Sequence, residues 1–153
     1  MIEEQSPQEA LRRRALGMLD RRVLSRRELI DKLVEKGEVK TEAEEAVDWL
    51  VEMGLLRDEH YAELIVRHYA GKGYGRKRIE QELWRRGIEK ELWDTALQEM
   101  PEENDALDRF IESKLRGESP DPKEEKRVAD ALSRRGYSWD EIKEGLRRYK
   151  ESL

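Results

Sequence analysis

The stretch Arg78-Ile79-Glu80-Gln81-Glu82-Leu83-Trp84-Arg85-Arg86-Gly87 decides how this chain folds. Ile79 stands four residues before Leu83, and Leu83 four before Gly87. A spacing of four puts both apolar side chains on one face of a helix. A glycine just beyond them, in a left-handed conformation, ends that helix. The same phrase occurs earlier as Leu29, Leu33 and Gly37, and later as Val128, Leu132 and Gly136. The three glycines are therefore 50 and 49 residues apart. One supersecondary unit used three times marks a modular array, and arrays present long surfaces to long partners.

Working outward, each phrase sits in a set of three helices. In the first set, Ser6-Pro7 opens a helix through Leu11, Ala15 and Leu19. Ser25 with Glu28 forms a capping box for a helix ending at Gly37, and Thr41 with Glu44 another for a helix ending at Gly54. In the second, Asp58 caps a helix running to about Lys72. Its apolar stripe joins Tyr61, Leu64 and Ile65 to Ala62, Val66 and Tyr69. A helix over about 76–86 and another over about 89–100 follow, the last stopped before Pro101. The third set begins near Asn104-Asp105 and breaks over Gly117 to Pro122. It resumes at about Lys123 and closes with a helix capped by Ser138 and Glu141. No segment sustains period-two alternation, so no sheet is expected. The predicted fold is all-α: three tandem three-helix repeats, at residues 6–56, 57–101 and 102–153, in an elongated, curved array. Units this small must share apolar surface with their neighbours.

Composition narrows the function. The 153 residues are 37% hydrophobic and 44% charged, which leaves little material for a deep core. With no cysteine there are no disulfides and no thiol chemistry, in keeping with a reducing cytoplasm. Met1-Ile2-Glu3-Glu4-Gln5-Ser6-Pro7 carries no targeting pattern, and no apolar run is long enough for a membrane span. The expectation is a soluble cytoplasmic monomer that does not engage a membrane. The net charge of −5 hides a block pattern. Residues 12–36 hold nine Lys and Arg against four acids, and 67–87 hold seven against two, whereas 38–63 hold two against nine. Basic segments thus recur with the repeat.

Catalytic chemistry does not emerge. His60 and His68 lie eight apart, too far to share a metal across adjacent helical turns. Gly71-Lys72-Gly73-Tyr74-Gly75 follows a helix rather than a strand and lacks the Gly-Lys-Ser/Thr ending of a phosphate loop. The expectation is no enzyme, no metal and no cofactor. What remains is arginine, the side chain suited to forked contacts with carboxylate and phosphate. The candidate partner-binding residues are Arg21, Arg22, Arg26, Arg67, Lys72, Arg76, Lys77, Arg78, Arg85 and Arg86, with Trp84 among them. Helical rotation turns Lys77, Arg78, Trp84 and Arg85 away from the Ile79 and Leu83 face. An outward Trp beside arginines reads as an interface anchor or as packing against the neighbouring repeat. Ordinary i,i+4 ion pairs compete as the explanation for many of these charges.

Several phrases together resemble the RecX family, regulators of the RecA recombinase. They are Ala15-Leu16 to Leu19, Arg22, Ser25-Arg26-Arg27-Glu28-Leu29 and Leu33, then Gly54-Leu55-Leu56-Arg57-Asp58-Glu59-His60-Tyr61-Ala62. Gly73-Tyr74-Gly75, Arg78-Ile79, Glu82-Leu83 and Arg86-Gly87-Ile88 continue the series. The resemblance covers about residues 10–150 and is most specific over 15–97. It implies three tandem three-helix repeats lying in the groove of the RecA nucleoprotein filament. It also implies inhibition or modulation of recombinase, ATPase and coprotease activities, hence of DNA repair and the SOS response, without a catalytic site. Weak direct DNA contact belongs to the same expectation. Two other readings stay open: a helix-turn-helix-like nucleic-acid-binding module offering Arg76-Lys77-Arg78 to bases, and a helical adaptor for another protein.

Overall fold

The computed structural model describes residues 6–102 and 104–153. The opening Met1-Ile2-Glu3-Glu4-Gln5, whose reading bears on targeting, lies outside the described residues. Within them the fold is all helical, with no strand. The helices are α1 (Pro7–Arg21), α2 (Arg26–Glu35), α3 (Lys40–Glu52), α4 (Asp58–Gly71) and α5 (Arg76–Arg85). They continue with a 3-10 turn (Lys90–Leu92), α6 (Trp93–Leu97), α7 (Asp105–Leu115), α8 (Pro122–Arg134) and α9 (Trp139–Glu151). No helix among the described residues is long and apolar enough to cross a membrane.

The repeated phrase does what its spacing predicts. Leu29, Leu33, Ile79, Leu83 and Leu132 are wholly buried and Val128 nearly so. Gly37, Gly87 and Gly136 all take positive φ, at 100°, 79° and 98°. Beyond each of them the chain turns back on the helix in the same way. The Gly37 and Glu38 N–H groups donate to the Val34 and Leu33 carbonyls, both at 3.0 Å. Gly87 and Ile88 donate to Trp84 and Leu83, again at 3.0 Å, and Gly136 and Tyr137 to Ser133 and Leu132 at 3.0 and 3.2 Å. These paired bonds satisfy carbonyls that a helix end leaves without partners.

The chain forms two compact units. One comprises residues up to Leu64 together with Leu83–Asp94; the other comprises Ile65–Glu82 and Thr95–Leu153. In the first, α1 and α2 both pack on α3. Its core joins Leu11, Ala15, Leu24, Leu29, Leu33, Val47, Leu50 and Leu56. In the second, α7, α8 and α9 pack on one another around Leu107, Ile111, Leu132, Ile142, Leu146 and Tyr149. Gly145 lets α9 come close to α7, since a Cβ there would lie 2.2 Å from Leu107 Cδ2.

Several local expectations are corrected. The Ser6 cap and the Ser25–Glu28 and Ser138–Glu141 boxes form as read. Thr41 does not cap: the N-cap of α3 is Val39, two residues earlier, without a side-chain cap. Asp58 is not the cap of α4 either. It is the first helical residue, the Arg57 carbonyl takes the first bond from Tyr61 N at 3.1 Å, and the Asp58 carboxylate accepts from Arg26 N at 2.9 Å. A box of Asp121 and Glu124 opens α8 at Pro122, just before the expected start. The helix expected over 89–100 is only a 3-10 turn and the five residues of α6. Leu64, placed on the apolar stripe of α4, is instead exposed, while Tyr61, Ala62, Ile65 and Val66 are buried.

Candidate functional site

The candidate residues divide between the units. Arg21, Arg22, Arg26, Trp84, Arg85 and Arg86 belong to the first; Arg67, Lys72, Arg76, Lys77 and Arg78 belong to the second.

In the first unit, the N-terminal end of α2 meets the C-terminal end of α5. Ser25, fully buried, caps α2 through Glu28 N at 3.1 Å and donates its hydroxyl to the Arg86 carbonyl at 2.5 Å. Arg27 Nη2 donates to the carbonyls of Arg85 at 2.9 Å and Trp84 at 3.4 Å. A cation on the last carbonyls of a helix is stabilised by the helix dipole as well as by the hydrogen bonds. Gly87 is needed for its positive φ and for this approach, because a Cβ there would lie 2.6 Å from Arg27 Nε. Arg86 is half-buried and donates to the Tyr61 hydroxyl at 2.8 Å. Arg26 forks onto Asp48 at 2.7 and 3.3 Å, and this hydrogen bond raises its pKa further above the ordinary arginine value. Burial pushes the Asp58 carboxyl above the usual aspartate range, partly offset by the bond from Arg26 N. Arg22 lies 3.9 Å from Glu28. Arg21 and Arg85 are exposed, and Trp84 is 69% exposed, pointing outward as helical rotation predicts.

A related joint recurs in the second unit, made by different atoms. Here the N-terminal end of α5 meets the C-terminal end of α8. The Gly75 N–H donates to the Arg135 carbonyl at 2.8 Å and the Lys77 N–H to the Gly136 carbonyl at 3.1 Å. A Cβ on Gly136 would fall 2.4 Å from Arg78 N, and one on Gly75 would fall 2.6 Å from Gly136 C. Two glycines thus permit a backbone-to-backbone joint where the first unit uses Ser25 and Arg27.

Around this joint lies a cluster of rings and cations. Arg78 stacks 5.3 Å from the Tyr74 ring centre and reaches Glu82 at 3.6 Å. Arg135 stands 4.6 Å from the Phe110 ring and 5.8 Å from Tyr74. Lys72 lies 5.8 Å from Tyr69, and Lys114 5.4 Å from Phe110. Tyr137 donates to the Gly73 carbonyl at 2.8 Å, and burial raises its pKa. Arg67 sits 3.9 Å from Glu99, Arg76 2.9 Å from Glu80, and Lys77 is exposed. Arg135 and Lys114 are absent from the sequence-read candidates. The Arg134-Arg135-Gly136 echo of Arg85-Arg86-Gly87 is the signal that finds Arg135; nothing in the sequence brings Lys114 to Phe110 beside it. Both histidines are exposed, and no group of metal-ligating side chains occurs among the described residues.

Successive three-helix sets, in each of which the middle helix ends at a left-handed glycine, define a helical-repeat protein with cation-rich surfaces. The comparisons place it more closely. The model described as RecX, second three-helix domain, matches residues 58–97, and that described as RecX, third three-helix domain, matches residues 102–146. The chain is 39% identical over 135 residues to the regulatory protein RecX of Pseudomonas syringae pv. tomato, covering 87% of each chain. It is 33% identical over 144 residues to that of Vibrio campbellii, covering 93% of each. Its fold is similar to the crystal structure of RecX from Lactobacillus salivarius, with a TM-score of 0.85 at 21% identity over 94% of this chain and 96% of that one. A second crystal structure, of regulatory protein RecX, gives 0.77 at 25% identity over 90% of this chain and 71% of that one. The chain belongs to the RecX family of regulatory proteins.

Proposed function

We propose that this protein binds the RecA–DNA filament and modulates it, mostly by inhibiting its recombinase, ATPase and coprotease activities, with effects on DNA repair and the SOS response. The observation that carries this reading is membership of a regulatory family over most of the chain. The basic segments support it, because charge on the surface of a regulator speeds and orients docking on a charged partner. The protein acts by binding rather than catalysis, as a cytoplasmic monomer without a cofactor, and the repeats span 6–56, 57–101 and 102–153.

The contacting side chains are best sought among the exposed candidates. Arg21, Lys72 and Lys77 are exposed. Arg26 forks onto Asp48, Arg78 stacks on Tyr74 and reaches Glu82, and Arg86 donates to the Tyr61 hydroxyl, so their reversal tests folding as much as binding. The test is titration of the protein into a RecA–single-stranded-DNA ATPase assay, first unmodified and then with Arg21, Lys72 and Lys77 changed to Glu. Dose-dependent inhibition that weakens in the folded triple variant is expected. Absence of inhibition by the unmodified protein removes the function, and full inhibition by the variant removes the basic-surface mechanism.

A further inference from the structure

We infer that an added turn of helix at the start of α8 closes the seat at which each earlier repeat receives its successor, and so keeps a second copy of this chain from docking end to end. The inference goes beyond the filament reading and stands without it.

Both joints follow one rule. The middle helix of one repeat receives, at its start, the glycine turn that ends the middle helix of the next. The receiving position lies four residues before the first apolar residue of the repeated phrase: Ser25 before Leu29, and Gly75 before Ile79. In both cases the helix begins at the very next residue, Arg26 or Arg76. Its first turn therefore still has groups that its own hydrogen bonds do not use. The first unit spends the Ser25 hydroxyl on the Arg86 carbonyl and the Arg27 guanidinium on that of Arg85. The second spends the N–H groups of Gly75 and Lys77 on the carbonyls of Arg135 and Gly136.

In the third repeat the corresponding position is Glu124, four before Val128. Here α8 has already begun, at Pro122 with Asp121 as its cap, and it runs to 13 residues where α2 and α5 have 10. The Glu124 N–H, counterpart of that of Gly75, donates to the Asp121 carboxylate at 2.7 Å, and the Glu125 N–H to the Asp121 carbonyl at 3.0 Å. Lys126, counterpart of Lys77, is the fifth residue of α8, so its N–H bonds within the helix. Pro122 has no N–H to offer. The added turn thus uses up the donors of this seat. It also places the exposed carboxylates of Asp121 and Glu124 where the carbonyls of another helix end, the negative pole of its dipole, would have to come.

The opposite end of the series is uncovered. Gly37 ends α2 with the same left-handed turn and the same paired bonds as Gly87 and Gly136. A Cβ would strike Arg27 at Gly87 and Arg78 at Gly136, but would meet nothing within 4 Å at Gly37. Val34 and Val39 flank this turn and are exposed. Glu38, paired with Arg14 at 2.7 Å, stands where the later copies have the buried Ile88 and Tyr137, which suits an end that faces water. A copy with an open seat at α8 could dock on this turn as α2 docks on Gly87. The two surfaces in such a contact differ, so every added copy would present a free end and growth would not stop at a dimer. One turn of helix is enough to prevent it.

The test is sedimentation of the intact protein beside a variant in which residues 121–127 copy residues 22–28. Its changes are Asp121→Arg, Pro122→Val, Lys123→Leu, Glu124→Ser, Glu125→Arg, Lys126→Arg and Arg127→Glu. The unmodified protein should keep the monomer's mass at every concentration. The variant, with helicity and melting temperature checked, should reach a weight-average mass above about twice the monomer's as concentration rises. Adding Gly37→Asn keeps a residue that tolerates the left-handed turn but puts a Cβ in the way of the docking arginine, and should return the variant to monomer. Association of the unmodified protein overturns the inference. So does a folded variant that stays monomeric, and so does association that Gly37→Asn leaves unchanged. Should the sevenfold change prevent folding, Asp121→Ala/Pro122→Gly/Glu124→Gly removes the cap and frees the donor at 124 as at Gly75, and the same outcomes decide.

Discussion

Gly37 and Gly136 occupy the same place in their repeats and share a left-handed backbone, yet they answer to different constraints. Around Gly37 a Cβ would meet nothing within 4 Å. At Gly136 it would strike the backbone and side chain of Arg78. Gly37→Ala therefore costs only the left-handed strain, about 1–2 kcal/mol. Gly136→Ala adds an overpacking cost of about 1–3 kcal/mol, giving about 2–5 kcal/mol together. Urea unfolding of the two variants should separate them clearly; equal midpoints would mean the Arg78 contact yields without cost. Leu83 and Lys77 supply a second contrast. Leu83 is fully buried, so Leu83→Ala should cost about 2–5 kcal/mol, whereas Lys77→Ala should stay within about 0.5 kcal/mol. A matched loss of melting temperature would contradict the helix phase. Asp58 gives a pH dependence. Its folded pKa is raised, so the stability it contributes is complete below the ordinary aspartate value and is lost as pH rises through the folded one. Asp58→Asn keeps an acceptor for Arg26 N and removes the titration. The variant should therefore gain on the parent as pH rises above the ordinary aspartate value, which denaturant midpoints followed across that rise would show. At this scale the repeated leucines and glycines were legible, because spacing alone specifies them. The role of Asp58 was not: an acid before an apolar run reads as a cap, and only the folded chain brings Arg26 to it.

At the scale of the element, Ser25 and Ser138 present the same local signal, a serine three residues before glutamate, and both form the box it predicts. Only Ser25 also donates to a distant carbonyl, that of Arg86, and it is fully buried. Ser138→Ala should cost about 1 kcal/mol, the usual value of a cap. Ser25→Ala should cost about 2–4 kcal/mol, because the lost cap adds to a carbonyl left without its donor. Thermal melts of the two variants test this, and similar shifts would show that the Arg86 carbonyl finds another partner. The difference could not be read from the sequence, since a cap is local and the joint spans 61 positions. The long helix expected over 89–100 failed for a related reason. Its apolar residues have helical spacing, but Trp93 turns its Nε1 back to the Ile88 carbonyl at 3.0 Å, and a 3-10 turn precedes the short α6.

For the molecule as a whole, segregation of charge was legible in the sequence, and what each charge does was only partly so. Of the residues read as partner contacts, Arg26 also forks onto Asp48, Arg78 stacks on Tyr74 and Arg86 donates to the Tyr61 hydroxyl. Arg21, Lys72 and Lys77 remain exposed. Helical rotation predicts which way a side chain leaves its own helix and is silent about what other helices bring to meet it. Phe110 and Arg135 are neighbours only through the fold.

The middle repeat holds one further consequence. The borders of the two compact units fall at Leu64 and Ile65, at Glu82 and Leu83, and at Asp94 and Thr95, so α4, α5 and α6 are each shared between the units. The sequence counts in periods of 49 and 50 residues between its glycines, and folding counts differently. What was copied is not what folds. A segment excised along the period, from 57 to 101, would take part of each unit and the whole of neither.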